Sequence, residues 1–207
     1  MGASLAPSFE AAEVNTHSRD CGSGAAALSH AIGGYAPGVH QQREDSPMRS
    51  VRGAYDATMS TVYEAAGGSE GLYRLAEAWH QRVMTDEIVS HAFSHGLHPR
   101  HTERLAAYWA EALGGPSMFT GCYGDETTVV RVHSGNGPHE EMDQRAIACF
   151  DRAMDDVGLP ADGELRRVLH DYFAWAATTT MARYHESADD VPDGLPIPRW
   201  SWNGLRK

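Results

Sequence analysis

Twelve histidines in 207 residues are the first feature that could do chemistry, because imidazole titrates near neutrality and is the commonest metal ligand in proteins. Three of them sit where the surrounding pattern predicts burial. His80 follows Leu72 by eight residues on one apolar helix face. His101 shares a stripe with Leu105, Tyr108 and Ala112, and His133 closes the stretch Val129-Val130-Arg131-Val132. A buried imidazole needs a partner for each ring nitrogen. Taken singly, each is most simply a core histidine bonded to a backbone carbonyl, and three in one short domain weaken that reading without removing it.

His91, His95, His98 and His101 form a second set, in SHAFSHGLHPRH. The four-residue step from His91 to His95 can bring two imidazoles onto one metal ion if the segment is helical. Gly96 and Pro99 break that helix, and no carboxylate stands at the spacing of a zinc-protease HExxH motif. A solvated histidine-rich corner is the better reading.

The elements that must position these rings are helical. Gly67-Gly68 precedes Ser69, a good N-cap, and Leu72, Leu75, Ala76, Trp79 and Val83 then recur at helical spacing. Thr85 or Asp86 can cap a shorter helix holding Ile88, Val89, Ala92 and Phe93. Pro99 suits the first turn of the helix bearing His101, and Gly114-Gly115-Pro116 stops it. Residues 117–137 read as a long loop ending in the turn Ser134-Gly135-Asn136-Gly137. Pro138 opens a helix with Met142, Ala146, Cys149, Phe150, Ala153 and Val157 on one face. A last helix carries Leu165, Leu169, Tyr172, Phe173, Ala176 and Thr180. The pattern gives an all-α fold class, with no strand signal and no internal repeat.

Organisation and charge narrow the class further. Residues 1–58 are rich in Ala, Gly, Ser and Pro without a sustained apolar period, which predicts a disordered extension; translation starting at Met48 or Met59 would explain the same texture. Residues 59–186 hold the domain, and residues 187–207 form a tail with Pro192, Pro196, Pro198, Trp200 and Trp202. Trp200 and Trp202 are expected to pack on the chain's own body. The formal charge of -11 argues against nucleic-acid or anionic-membrane partners. No apolar run approaches the roughly 18 residues of a membrane span, and no signal-like segment opens the chain. Cys21, Cys122 and Cys149 lack CxxC spacing and read as reduced thiols, which suits a cytoplasmic location.

The segments TVYEAAGGSEGL, VMTDEIVSHAF, HTERLAAYWAEALGGP and VVRVHSGNG, in that order from about Met59 to about Glu186, resemble the truncated haemoglobins, and specifically their group II. That resemblance implies a two-over-two helical sandwich around haem b, held noncovalently because no CxxCH attachment motif is present. It implies that His133 is the proximal ligand to the iron, with its other nitrogen bonded to a carbonyl that fixes the tautomer; the 134–137 turn offers candidates. Phe93 matches the aromatic packed flat against the porphyrin, and Leu105 an apolar distal contact.

Three positions depart from the family pattern. His80 stands where a tyrosine is usual, His101 at the distal position facing the iron, and Ala146 where group II members place a tryptophan. The distal pocket should therefore be roomier, with its polar contacts supplied by two imidazoles. An imidazole N–H aimed at a polarised oxygen ligand makes a charge-assisted hydrogen bond of ~1.5–3 kcal/mol, whereas NO and CO gain less. His101 has a second available role, ligating the iron itself when no gas is bound.

The function implied by the resemblance is binding of O2, with NO and CO, in oxygen transport or in NO-dioxygenase or peroxidase-like chemistry fed by an unidentified reductant, as a monomer or homodimer. Two other readings compete with it. One is a non-haem, metal-dependent helical-bundle enzyme using the 91–101 histidines; the other is a cofactor-free helical interaction protein.

Overall fold

The computed structural model describes residues 60–94 and 96–207. The extension expected over residues 1–58, Met59 and His95 lie outside the described residues. The fold is built from helices α1 (Val62–Ala65), α2 (Gly68–Thr85), α3 (His101–Ala112), α4 (Met118–Cys122), α5 (Glu126–Val132), α6 (Glu140–Asp156) and α7 (Glu164–Trp175), with a 3-10 segment at Val89–Phe93 and a π-helical continuation of α7 at Ala176–Met181. The pair α2 and α3 packs on the pair α6 and α7, chiefly through α2 against α6. This is the all-α, two-over-two arrangement expected from the sequence.

Local chemistry explains the boundaries. Thr61 and Glu64 form a capping box that starts α1. Gly67 and Gly68 both adopt positive φ, 88° and 65°, which turns the chain into α2 at a conformation other residues rarely tolerate. The N-cap is Gly67 rather than Ser69, whose hydroxyl instead pairs with the Tyr63 hydroxyl at 2.9 Å. At the far end of α3, a Cβ on Gly115 would come within 2.7 Å of the Ala110 carbonyl and of the Tyr63 ring. That closeness explains why the helix stops there in a Gly-Gly pair.

The apolar positions read from helical spacing are the buried ones. Leu72, Leu75, Ala76, Trp79 and Val83 of α2 face Ile147, Cys149, Phe150, Ala153 and Met154 of α6. Four rings tie the layers together at the centre. Phe150 stacks on Phe173 at 4.2 Å, Trp109 meets Phe150 edge-on at 5.3 Å, and Trp79 meets Trp109 at 6.0 Å and Phe173 at 5.6 Å. Each such pair contributes about 0.5–1.5 kcal/mol beyond the area it buries, so this cluster fixes the relative placement of α2, α3, α6 and α7.

Three expectations need correction. Residues 117–137 are not one long loop: they contain α4 and α5, of five and seven residues, too short to display a helical period. Asp125 caps α5 through the Thr128 N–H at 2.8 Å. Two strands also occur, Trp200–Ser201 (β1) and Gly204–Leu205 (β2), paired antiparallel. The tail follows no period because it is fastened piecemeal: Ile197 and Trp200 enter the core and the Trp202 indole donates to the Ser60 carbonyl at 2.7 Å. Finally, Cys149 is a free buried thiol, but Cys122 is disulfide-bonded, so the expectation of three reduced thiols fails at Cys122. Among the described residues no helix is long and apolar enough to cross a membrane.

Candidate functional site

His133 caps the C-terminus of α5. Its own backbone N–H bonds to the Val130 carbonyl, which leaves the Val129 carbonyl without its i+4 partner. The ring takes that acceptor: Nδ1 lies 2.8 Å from the Val129 oxygen. A carbonyl can only accept, so Nδ1 carries the proton. In the neutral ring the lone pair is then on Nε2. Burial pushes the His133 pKa down, partly opposed by the bond to Val129. Contrary to the burial expected from the valine-rich stretch before it, His133 is exposed. The fixing carbonyl is Val129, inside the helix, and not one of the 134–137 turn.

His80 and His101 come together from different elements, the former on the fourth turn of α2 and the latter as the first residue of α3. Their ring centroids are 5.2 Å apart, and Phe93, from the 3-10 corner, lies 6.0 Å from His80 and 5.7 Å from His101. The corner is anchored by Asp86, whose Oδ1 accepts the N–H groups of Ile88 and Val89 and the Nε–H of Arg145 on α6. The Arg145 bond and these backbone donors hold the Asp86 carboxyl well below the usual carboxylate range.

The electrostatics keep both imidazoles neutral near pH 7. Burial lowers the His80 pKa. His101 is pushed down to about 4, first by burial and then by repulsion from His80, His133, Arg104 and His98. His80 Nδ1 pairs with the Thr102 hydroxyl at 3.1 Å. Its Nε2, and Nδ1 of His101, are buried and have no hydrogen-bond partner among the described residues. Two orphaned polar atoms in neighbouring rings are costly unless something else meets them.

Leu105, one turn beyond His101, is half-buried and packs against the core, as does Ala146 on α6. An indole does reach residue 146, but from α2: Trp79 Nε1 donates to the Ala146 carbonyl at 3.2 Å. Its N–H is therefore spent on the backbone. Sequence reasoning missed Thr102, and also the hydrogen-bonded pair His139 and Asp143, 2.9 Å apart. Their four-residue spacing across the start of α6 was the available signal.

Of the 91–101 histidines, His95 lies outside the described residues, and His98 and His101 take different partners. His98 Nδ1 accepts the Arg100 N–H at 3.0 Å, while His101 turns to His80. Among the described residues no group of three His, Cys, Asp or Glu side chains could hold a metal ion.

Residues 61–178 match the model of the bacterial-like globins, more than half of the chain. It belongs to that family. Among solved structures, the globin fold resembles the group II truncated haemoglobin of Bacillus anthracis (TM-score 0.52, 23% identity, 61% of this chain and 93% of that one). It also resembles the truncated oxygen-avid haemoglobin of Bacillus subtilis (TM-score 0.51, 25% identity, 60% of this chain and 100% of that one). By sequence it is 32% identical over 81 residues to a group 1 truncated haemoglobin of Mycolicibacterium paratuberculosis, covering 39% of this chain and 56% of the relative. The resemblance to truncated haemoglobins, group II structures included, is borne out. Membership of a globin family implies haem binding and a diatomic gas ligand.

Proposed function

We propose that this globin binds one haem b through His133 and reversibly binds O2, with NO and CO as alternative ligands, on the opposite side. The observation that carries the reading is the His133 geometry. A neutral imidazole, its tautomer set by Val129, keeps the lone pair of Nε2 unused by any hydrogen bond among the described residues. That is the donor an iron porphyrin requires of a globin.

The remaining residues fit such a group. Phe93 offers a ring at the corner, and Leu105 and Ala146 give half-buried apolar surface. The orphaned nitrogens of His80 and His101 are the polar contacts a bound gas would satisfy. When bound, the haem supplies the metal centre to which gases attach; the chain's own part is to hold, exclude and orient. Thr102 orients His80, the aromatic cluster around Trp79 excludes water, and His80 and His101 donate hydrogen bonds to a polarised ligand. With both imidazoles neutral at pH 7, each has one N–H to give without carrying charge into the pocket.

The test is spectroscopic. Purified protein supplied with haem and reduced should give distinct oxygen and carbon monoxide spectra that revert on gas exchange. Folded protein that stays colourless under haem supplementation refutes the reading.

A further inference from the structure

Helix α5, which carries His133, has only seven residues, and a helix this short does not persist without tertiary support. Its buried Val130 lies apart from the main core, as does buried Val191 of the tail. The support comes from residues 184–195, which run along α5 and the loop after it. Thr127 Oγ1 donates to the Pro192 carbonyl and accepts the Leu195 N–H, both at 3.1 Å. One turn on, Arg131 Nη2 donates to the Val191 carbonyl at 3.2 Å and to the Asp193 carboxylate at 2.8 Å. Beyond His133, the N–H groups of Gly135 and Gly137 donate to the carbonyls of Tyr184 and His185 at 3.0 and 2.9 Å.

The strap is itself tied down. Upstream it continues from the end of α7. Downstream, Ile197 and Trp200 enter the core, and Arg199 pairs with the buried Glu111 carboxylate at 3.0 Å. It lies wholly beyond the 61–178 span shared with the family, so nothing in that shared span accounts for it.

We infer that residues 184–195 are a positioning strap for His133: Thr127 and Arg131 lock α5 to the tail and thereby fix where His133 Nε2 points. Hydrogen bonds brace the helix before, and the loop after, the histidine, so ring placement is set by backbone restraint and not by contacts of the ring alone. This inference rests on the proposed role of His133 only for its iron-dependent readouts.

The test compares full-length protein with the Thr127→Val/Arg131→Met double variant. In cofactor-free protein, amide hydrogen exchange across 129–137 should be roughly 10- to 100-fold faster in the variant, the equivalent of one or two hydrogen bonds. Protection in α2 and α6 should be unchanged. With haem bound, the variant should release it about tenfold faster, with a shifted or broadened iron–histidine stretching band. Arg131→Lys, which keeps a donor, should restore most of both properties. If α2 or α6 also loses protection, the milder Asp193→Asn variant, altered at an exposed carboxylate, must show a smaller effect confined to 129–137. Unchanged exchange in that segment, or faster exchange with an unaltered iron–histidine band, overturns the strap. Wild-type protein that takes up no haem would remove the proposed function, while the cofactor-free exchange comparison still decides the strap.

Discussion

The Nδ1 of His133 and the carbonyl of Val129 are 2.8 Å apart, within the same short helix. This places a proton on Nδ1 and a lone pair on Nε2 before any cofactor arrives. Nitrogen-15 NMR of cofactor-free protein at pH 7 should therefore show His133 as the neutral Nδ1–H tautomer. A predominance of Nε2–H would mean that the ring is not poised as a ligand.

His80 is the more exposed test of the distal reading, because its Nε2 is buried without a partner. Replacing His80 with Leu should speed oxygen release roughly 10- to 100-fold, the worth of one hydrogen bond to a polarised ligand, and leave carbon monoxide release little changed. Stopped-flow displacement measures both. Off-rates that stay at wild-type values would make His80 a packing residue only.

Two buried groups should shape stability against pH in opposite directions. Glu126 is 2% exposed and bonds to the Tyr108 hydroxyl at 2.8 Å; burial pushes its carboxyl up to about 7 from 4.5. The folded state holds this proton more tightly than the unfolded chain. Its contribution is thus complete below pH 4.5 and is lost as pH rises through 7, on the order of 3 kcal/mol. His101 has its folded pKa lowered from 6.5 to about 4, so its contribution is present above pH 6.5 and lost as pH falls toward 4. Urea unfolding from pH 4 to 8 should find Glu126→Gln more stable than wild type at pH 8 and His101→Leu less acid-sensitive at pH 4.5. Parallel profiles for all three proteins would contradict the assignment.

How far the sequence disclosed this molecule depends on the length of the element. α2 and α6 span 18 and 17 residues, enough turns for Leu72, Trp79 and Val83, or Cys149, Phe150 and Ala153, to mark a face. α4 and α5 are too short for that, and their region read as a loop. His80 was legible as a buried ring because it sits on the apolar face of a long helix, whereas its partner Thr102 was not, being set by how α2 crosses α3. The role of His133 came from an ordered resemblance and not from periodicity. Its acceptor was misplaced because the choice between Val129 and the following turn depends on which carbonyl the helix end leaves free. The strap was illegible for a related reason. Thr127 and Arg131 reach backbone carbonyls 60 or more residues away, and backbone acceptors leave no mark in residue types.

The most direct test is a titration of the purified protein with haemin, followed at the Soret band, alongside His133→Ala. Wild-type protein should saturate at one equivalent with a histidine-ligated spectrum, and the alanine variant, folded by circular dichroism, should fail to retain the cofactor. A folded wild-type protein that produces no Soret shift, or an alanine variant that holds haem as tightly with an unchanged spectrum, would contradict haem binding through His133.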